Sequence, residues 1–91
     1  MIAEGDTLSQ WEKLIAGILE RDANLRFDEL YKALVKMGYT PTQPQGGGSH
    51  YTFRKAGCMP VTLPKHGPIK KAYINLVADA VRSYLEEKQD G

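Results

Sequence analysis

At Tyr39 the apolar pattern of this chain changes period, and near Pro68 it changes back. That double switch limits the possible folds more than any other feature. Apolar residues recur about every 3.6 positions on one face of a helix and every second position on one face of a strand. The chain therefore reads as two helices, a stretch of short strands and a final helix, within 91 residues, a length suited to one domain.

Thr7 and Gln10 have capping-box spacing, which opens a helix expected to reach about Arg21. Its stripe is Leu8, Trp11, Leu14, Ile15, Ile18 and Leu19, and Trp11 is expected to pack against the domain. Asp22, Ala23 and Asn24 break the pattern. A second helix is expected from about Asp28 to Met37, with Phe27, Leu30, Leu34 and Met37 inward and Gly38 as its stop. Asp28, Lys32 and Lys36 recur at four-residue spacing on its solvated face.

Tyr39 to Thr42 suits a short edge strand, because Pro41 and Pro44 cannot serve a central ladder. Gln45 to Gly48 is a glycine loop. In His50 to Arg54, Tyr51 and Phe53 share one side, and His50, Thr52 and Arg54 the other. Lys55 to Cys58 reads as a hairpin turn, after which Met59, Val61 and Leu63 alternate in a third strand. Pro64 to Pro68 forms a loop, and Pro68 stands near the start of a helix running to about Glu87. That helix carries Tyr73, Leu76, Val77, Ala80, Val81 and Tyr84 on one stripe. Helices flanking an antiparallel three-stranded sheet define an α+β fold. The layout resembles a double-stranded-RNA-binding domain, α-β-β-β-α, with one additional N-terminal helix. The reading is a single domain over residues 1–91, with residues 1–24 as a helical extension and 25–88 as the core.

An apolar content of 42% supports one core, and the formal net charge is only +1. Residues 1–40 hold five Lys/Arg against seven Asp/Glu, whereas residues 41–91 hold seven against four. The second half is thus the side on which a polyanion would be met. The single Cys58 excludes an intramolecular disulfide framework and a cysteine-rich zinc module, and reads as an incidental thiol. The absence of any apolar run near ~18 residues argues against a membrane helix. The acidic start, Met1 to Asp6, is unlike a secretory signal, so a cytoplasmic location is expected.

Between Glu29 and Asp79 every charged residue is Lys or Arg, and both histidines, His50 and His66, fall in that stretch. With no nearby carboxylate and one cysteine, the donor set is poor for a metal, so no metal or cofactor is expected. It is suited to holding a phosphate backbone and moving protons beside it. Alternation places His50 on the open side of the sheet, beside a glycine loop whose backbone N–H groups can approach anionic oxygens. A histidine near neutrality is a natural general acid or base. RNA brings its own nucleophile, the 2′-OH. Lys65, Lys70, Lys71 and Arg54 are the candidates to balance phosphate charge, with Lys70 and Lys71 at the start of the last helix. Gly48 and Ser49 would shape the site. His66 is either a second proton carrier or a residue that holds its loop. The residues alone leave three readings open: a nuclease, a non-catalytic RNA-binding module, and a pure interaction protein.

Four segments in order sharpen the choice: Phe27 to Tyr39, Gly48-Ser49-His50, Val61-Thr62-Leu63-Pro64-Lys65-His66-Gly67, and Ile69-Lys70-Lys71-Ala72-Tyr73-Ile74. Together, residues 26–82 resemble the HicA family of mRNA-cleaving toxins from bacterial toxin–antitoxin pairs. The resemblance implies a double-stranded-RNA-binding-like fold, ribosome-independent cleavage of mRNA, a catalytic role for His50, and neutralisation by a HicB-type antitoxin. The family's basic residue before Gly-Ser-His and frequent second histidine after it are replaced here by Gly47 and Tyr51. The first helix lies outside the family core.

Overall fold

The computed structural model describes residues 9–43, 48–66 and 68–90, the side chains of Gln89 and Asp90 excepted. In chain order the elements are α1 (Gln10–Leu19), α2 (Phe27–Lys36), β1 (Thr40–Thr42), β2 (His50–Arg54), β3 (Val61–Pro64) and α3 (Lys71–Asp90). The strands form one antiparallel sheet in the order β1-β2-β3. Among the described residues the fold is therefore α+β, three helices and a three-stranded antiparallel sheet.

α1 starts later than the Thr7–Gln10 spacing predicts, and Thr7 and Leu8 lie outside the described residues. Ser9 is the N-cap: its hydroxyl accepts from the Glu12 amide at 3.1 Å, while Glu12 Oε1 accepts from the Ser9 amide at 3.0 Å. A carboxylate is a stronger acceptor than the Gln10 amide and also meets the positive end of the helix, so Ser9–Glu12 prevails. Both α1 and α2 close through the same turn. The Asp22 amide donates to the Gly17 carbonyl and that of Arg21 to Ile18; the Tyr39 amide donates to Leu34 and that of Gly38 to Val35. Gly38 takes φ 105° without a Cβ, but Arg21 sits at φ 56° with a full side chain. Its guanidinium is fastened there, donating to Asn75 Oδ1 on α3 and to the Leu19 carbonyl, both at 2.8 Å.

Register explains which sheet face is dry. Phe53 pairs with Pro41 and Val61, and Tyr51 with Leu63, so these residues share one face. Phe53, Val61 and Leu63 are buried there under the helices. Ile15 and Ile18 of α1 and Leu30, Ala33 and Leu34 of α2 join the same core. α1 packs on both α2 and α3, so the N-terminal helix shares the central core.

Two apolar assignments need correction. Met59 is not in the third strand and is 83% exposed. Pro60 has no N–H to offer a ladder, and pairing begins at Val61. α3 begins at Lys71, after Pro68, continues to Asp90, and buries Ile74, Val77, Ala78 and Val81. Leu76, assigned to the stripe from spacing, is 46% exposed. Apolar residues occupy a wide arc of this helix, and the buried part of that arc includes Ala78, which the spacing left out. The hairpin turn forms as expected, with the Cys58 amide donating to the Lys55 carbonyl at 3.0 Å and Gly57 at φ 81°.

Candidate nucleic-acid interface

His50 opens β2 and is exposed. Antiparallel pairing sets it opposite Pro64, the last residue of β3. Beyond that pair the Lys65 amide donates to the Ser49 carbonyl at 2.7 Å, carrying the ladder one residue past the strands. The segments 48–50 and 64–66, far apart in sequence, therefore run side by side at one end of the sheet. Gly48 and His66 are exposed and Ser49 is half-buried. Pro44, Gln45, Gly46, Gly47 and Gly67 lie outside the described residues.

The side chain of His50 is held to the open face by what its neighbours do on the other. Tyr51 packs with Phe27 at 5.3 Å and Tyr31 at 6.4 Å between ring centroids, and Phe53 with Tyr31 at 5.5 Å. Phe27 and Tyr31 are one turn apart on α2, so this aromatic cluster fixes the phase of β2. His50, Thr52 and Arg54 then share the face away from the helices. Pairing aligns Thr42, Thr52 and Thr62 in a row across all three strands. The Thr52 and Thr62 hydroxyl oxygens are 3.2 Å apart, a hydrogen bond in which either can donate. The strands contain no Asp or Glu, so this face offers hydroxyls, one guanidinium and one imidazole. Alternation along β2 already sets Thr52 beside His50 on this side, whereas Thr42 and Thr62 join it only through the register of the strands.

The remaining candidates are distributed around that face. Arg54 is exposed at the far end of β2, four residues or about 13 Å from His50. Lys65 has the parity of Leu63: its Nζ lies 5.7 Å from the Tyr51 ring centroid, on the helix-packed side of the sheet. Its ammonium and the His50 imidazole thus flank the strand end from opposite sides. The Lys70 carbonyl accepts from the Tyr73 and Ile74 amides at 2.9 and 3.2 Å, which makes Lys70 the cap residue of α3. Its side chain has no acceptor with which to satisfy the first-turn amides. Lys70 and Lys71 are both exposed, and the first turn of α3 contains no acid. Lys55, by contrast, is turned inward. It lies over the Tyr39 and Tyr84 rings, 5.8 and 5.2 Å from their centroids, and 3.7 Å from Glu87.

Among the described residues no three His, Cys, Asp or Glu side chains are grouped as a metal site, and no helix is long and apolar enough to cross a membrane. Cys58 is partly buried against the core, next to Tyr39. Burial, foremost, and then the Cys58 thiol and Glu87 push the Tyr39 phenol up to about 12. Comparison with protein-family models, curated proteins and solved structures found no match to this chain.

Proposed function

We propose that the chain is a metal-independent endoribonuclease, the toxin member of a toxin–antitoxin pair, with a double-stranded-RNA-binding-like fold and His50 as its general acid or base. One observation carries the reading. The ladder from His50–Pro64 to Ser49–Lys65 places the glycine-led histidine segment beside the second histidine segment, on a strand end without carboxylates. An exposed imidazole there can take the proton of a ribose 2′-OH as its oxygen attacks the adjacent phosphorus. The P–O5′ bond then breaks, and a protonated imidazole can return a proton to the departing 5′-oxygen. Lys65, Lys70 and Lys71 hold neighbouring phosphates, Gly48 and Ser49 shape the approach, and Arg54 engages the strand further along the face. His66 is the candidate second proton carrier.

Purified protein should degrade mRNA in the presence of EDTA. His50→Ala should reduce cleavage by on the order of 10²-fold or more while unfolding remains cooperative. Undiminished cleavage by folded His50→Ala removes the assignment, and inhibition by EDTA that added metal reverses removes the metal-free mechanism. A HicB-type antitoxin in the cytoplasm is the partner this reading requires. An inhibitor of this kind would cover His50 and residues 65–71, so RNA and antitoxin should exclude one another. A ternary complex with undiminished RNA affinity would contradict that.

The second reading, a non-catalytic RNA-binding module, is favoured by the row Thr42–Thr52–Thr62, which offers hydroxyls to a backbone without proton chemistry. RNA affinity without any cleavage distinguishes it.

A further inference from the structure

We infer a second RNA-contacting site on the opposite layer of the molecule: the Trp11 end of the α1–α2 groove takes one nucleotide of a single strand, its base on the indole and its phosphate among Lys13, Lys32 and Lys36. The groove encloses about 520 Å³, within the range of small-ligand pockets. α1 and α2 run antiparallel, because Lys36 at the end of α2 lies over Trp11 at the start of α1, with Nζ 4.9 Å from the ring centroid.

That arrangement makes the groove bipolar. By their places on the antiparallel helices, Trp11, Lys13 and Lys36 lie toward one end and Asp22 and Glu29 toward the other, with Lys32 between them, one turn of α2 from both Glu29 and Lys36. The two carboxylates already have local work. Asp22 Oδ1 accepts from the Asn24 amide at 2.8 Å, and Glu29 Oε1 from the Arg26 amide at 2.9 Å. Trp11 is only half-buried, so it offers ring surface toward the groove while its remainder packs on the core. The side chain over that ring is a flexible lysine, which can leave the indole for a phosphate as a base takes its place. Indole stacking is indifferent to base identity, and the three ammonium groups select for an anion. The acidic far end limits the site to a single nucleotide and disfavours a long backbone track. The groove lies outside the His50 surface, so this inference does not depend on catalysis.

Trp11 is the only tryptophan, so its fluorescence reports the site directly. The full chain is titrated with a short 2′-O-methyl oligoribonucleotide, which lacks the 2′-OH nucleophile and cannot be cut by the proposed route. Saturable quenching that weakens with added salt is expected, equally in His50→Ala. The exposed-site double variant Lys32→Gln/Lys36→Gln should lower affinity about tenfold. In Trp11→Leu, anisotropy of a labelled oligonucleotide should show a loss of about tenfold, with circular dichroism confirming the fold. Absence of quenching, or quenching indifferent to the double lysine variant, overturns the proposal. Equal quenching by a glutamate peptide of matched length also overturns it, reassigning the groove to acidic peptides. Quenching by this oligonucleotide, with no cleavage of unmodified mRNA by the same protein, leaves this site standing while the nuclease reading falls. Cleavage without quenching does the reverse.

Discussion

Gly38 and Tyr39 show how far a single residue can be decided by its backbone and surroundings. Gly38 lies at φ 105°, where an L side chain is strained whatever space surrounds it. A Cβ there would also come 3.5 Å from Lys55 Cε, an ordinary contact, so the cost of Gly38→Ala is conformational. Urea unfolding should show a loss of about 1–2 kcal/mol. An unchanged midpoint would mean the turn closes α2 in some other way. Tyr39, 6% exposed, holds its phenolic proton to about 12, against 10.0 for the free side chain. A raised folded-state pKa means that the unfolded chain ionises first. This contribution to stability is intact below pH 10 and disappears as pH rises from about 10 to about 12. Absorbance titration should therefore find one of the five tyrosines ionising late, together with unfolding. Tyr39→Phe should remove that late step, and a late step that persists would assign it to another tyrosine.

α1 could serve the fold in two ways, by packing into the core or by shielding the cationic site. Ile18 is fully buried and Ile15 nearly so, in the same core as Leu34 and Val77. Ile18→Ala should cost about 2–5 kcal/mol through the lost apolar contact and the cavity left behind. Deleting residues 1–23 removes both isoleucines and breaks the Arg21–Asn75 tie to α3. We expect that truncation to lose cooperative unfolding. A folded truncated protein that cleaves RNA faster would instead establish α1 as a shield. Among the strands, β2 depends on α2, since Tyr51 and Phe53 meet Phe27 and Tyr31 and thereby set the direction of His50. A one-residue slip of that strand would turn His50 toward the helices.

The whole molecule presents its chemistry on separate surfaces. The open sheet face carries His50, Arg54 and the threonine row, and Lys65 flanks its end from the helix side. Lys70 and Lys71 start α3 a few residues farther along the chain. Phosphate contacts release counterions, so RNA affinity falls with salt in proportion to their number. The triple variant Lys65→Ala/Lys70→Ala/Lys71→Ala should bind RNA more weakly and with a shallower salt dependence, by about two to three contacts. An unchanged slope in the folded variant would show that RNA follows another surface.

The sequence by itself determined the element order and the side of β2 on which His50 stands. Both follow from local rules: residue spacing, the glycine at Gly38 and the alternation of Tyr51 and Phe53 with polar neighbours. It left Leu76 and Met59 misassigned, because an apolar residue's spacing records that it can be buried and not whether a neighbour arrives to cover it. It left Ser9–Glu12 unseen behind Thr7–Gln10, since the two cap motifs overlap and their energies decide between them. Only tertiary structure joined Ser49 to Lys65, set Lys65 and His50 on opposite sides of the sheet, and lined a groove with Trp11 and Lys36. Those relations are long-range pairings of strands and helices, which no local spacing encodes.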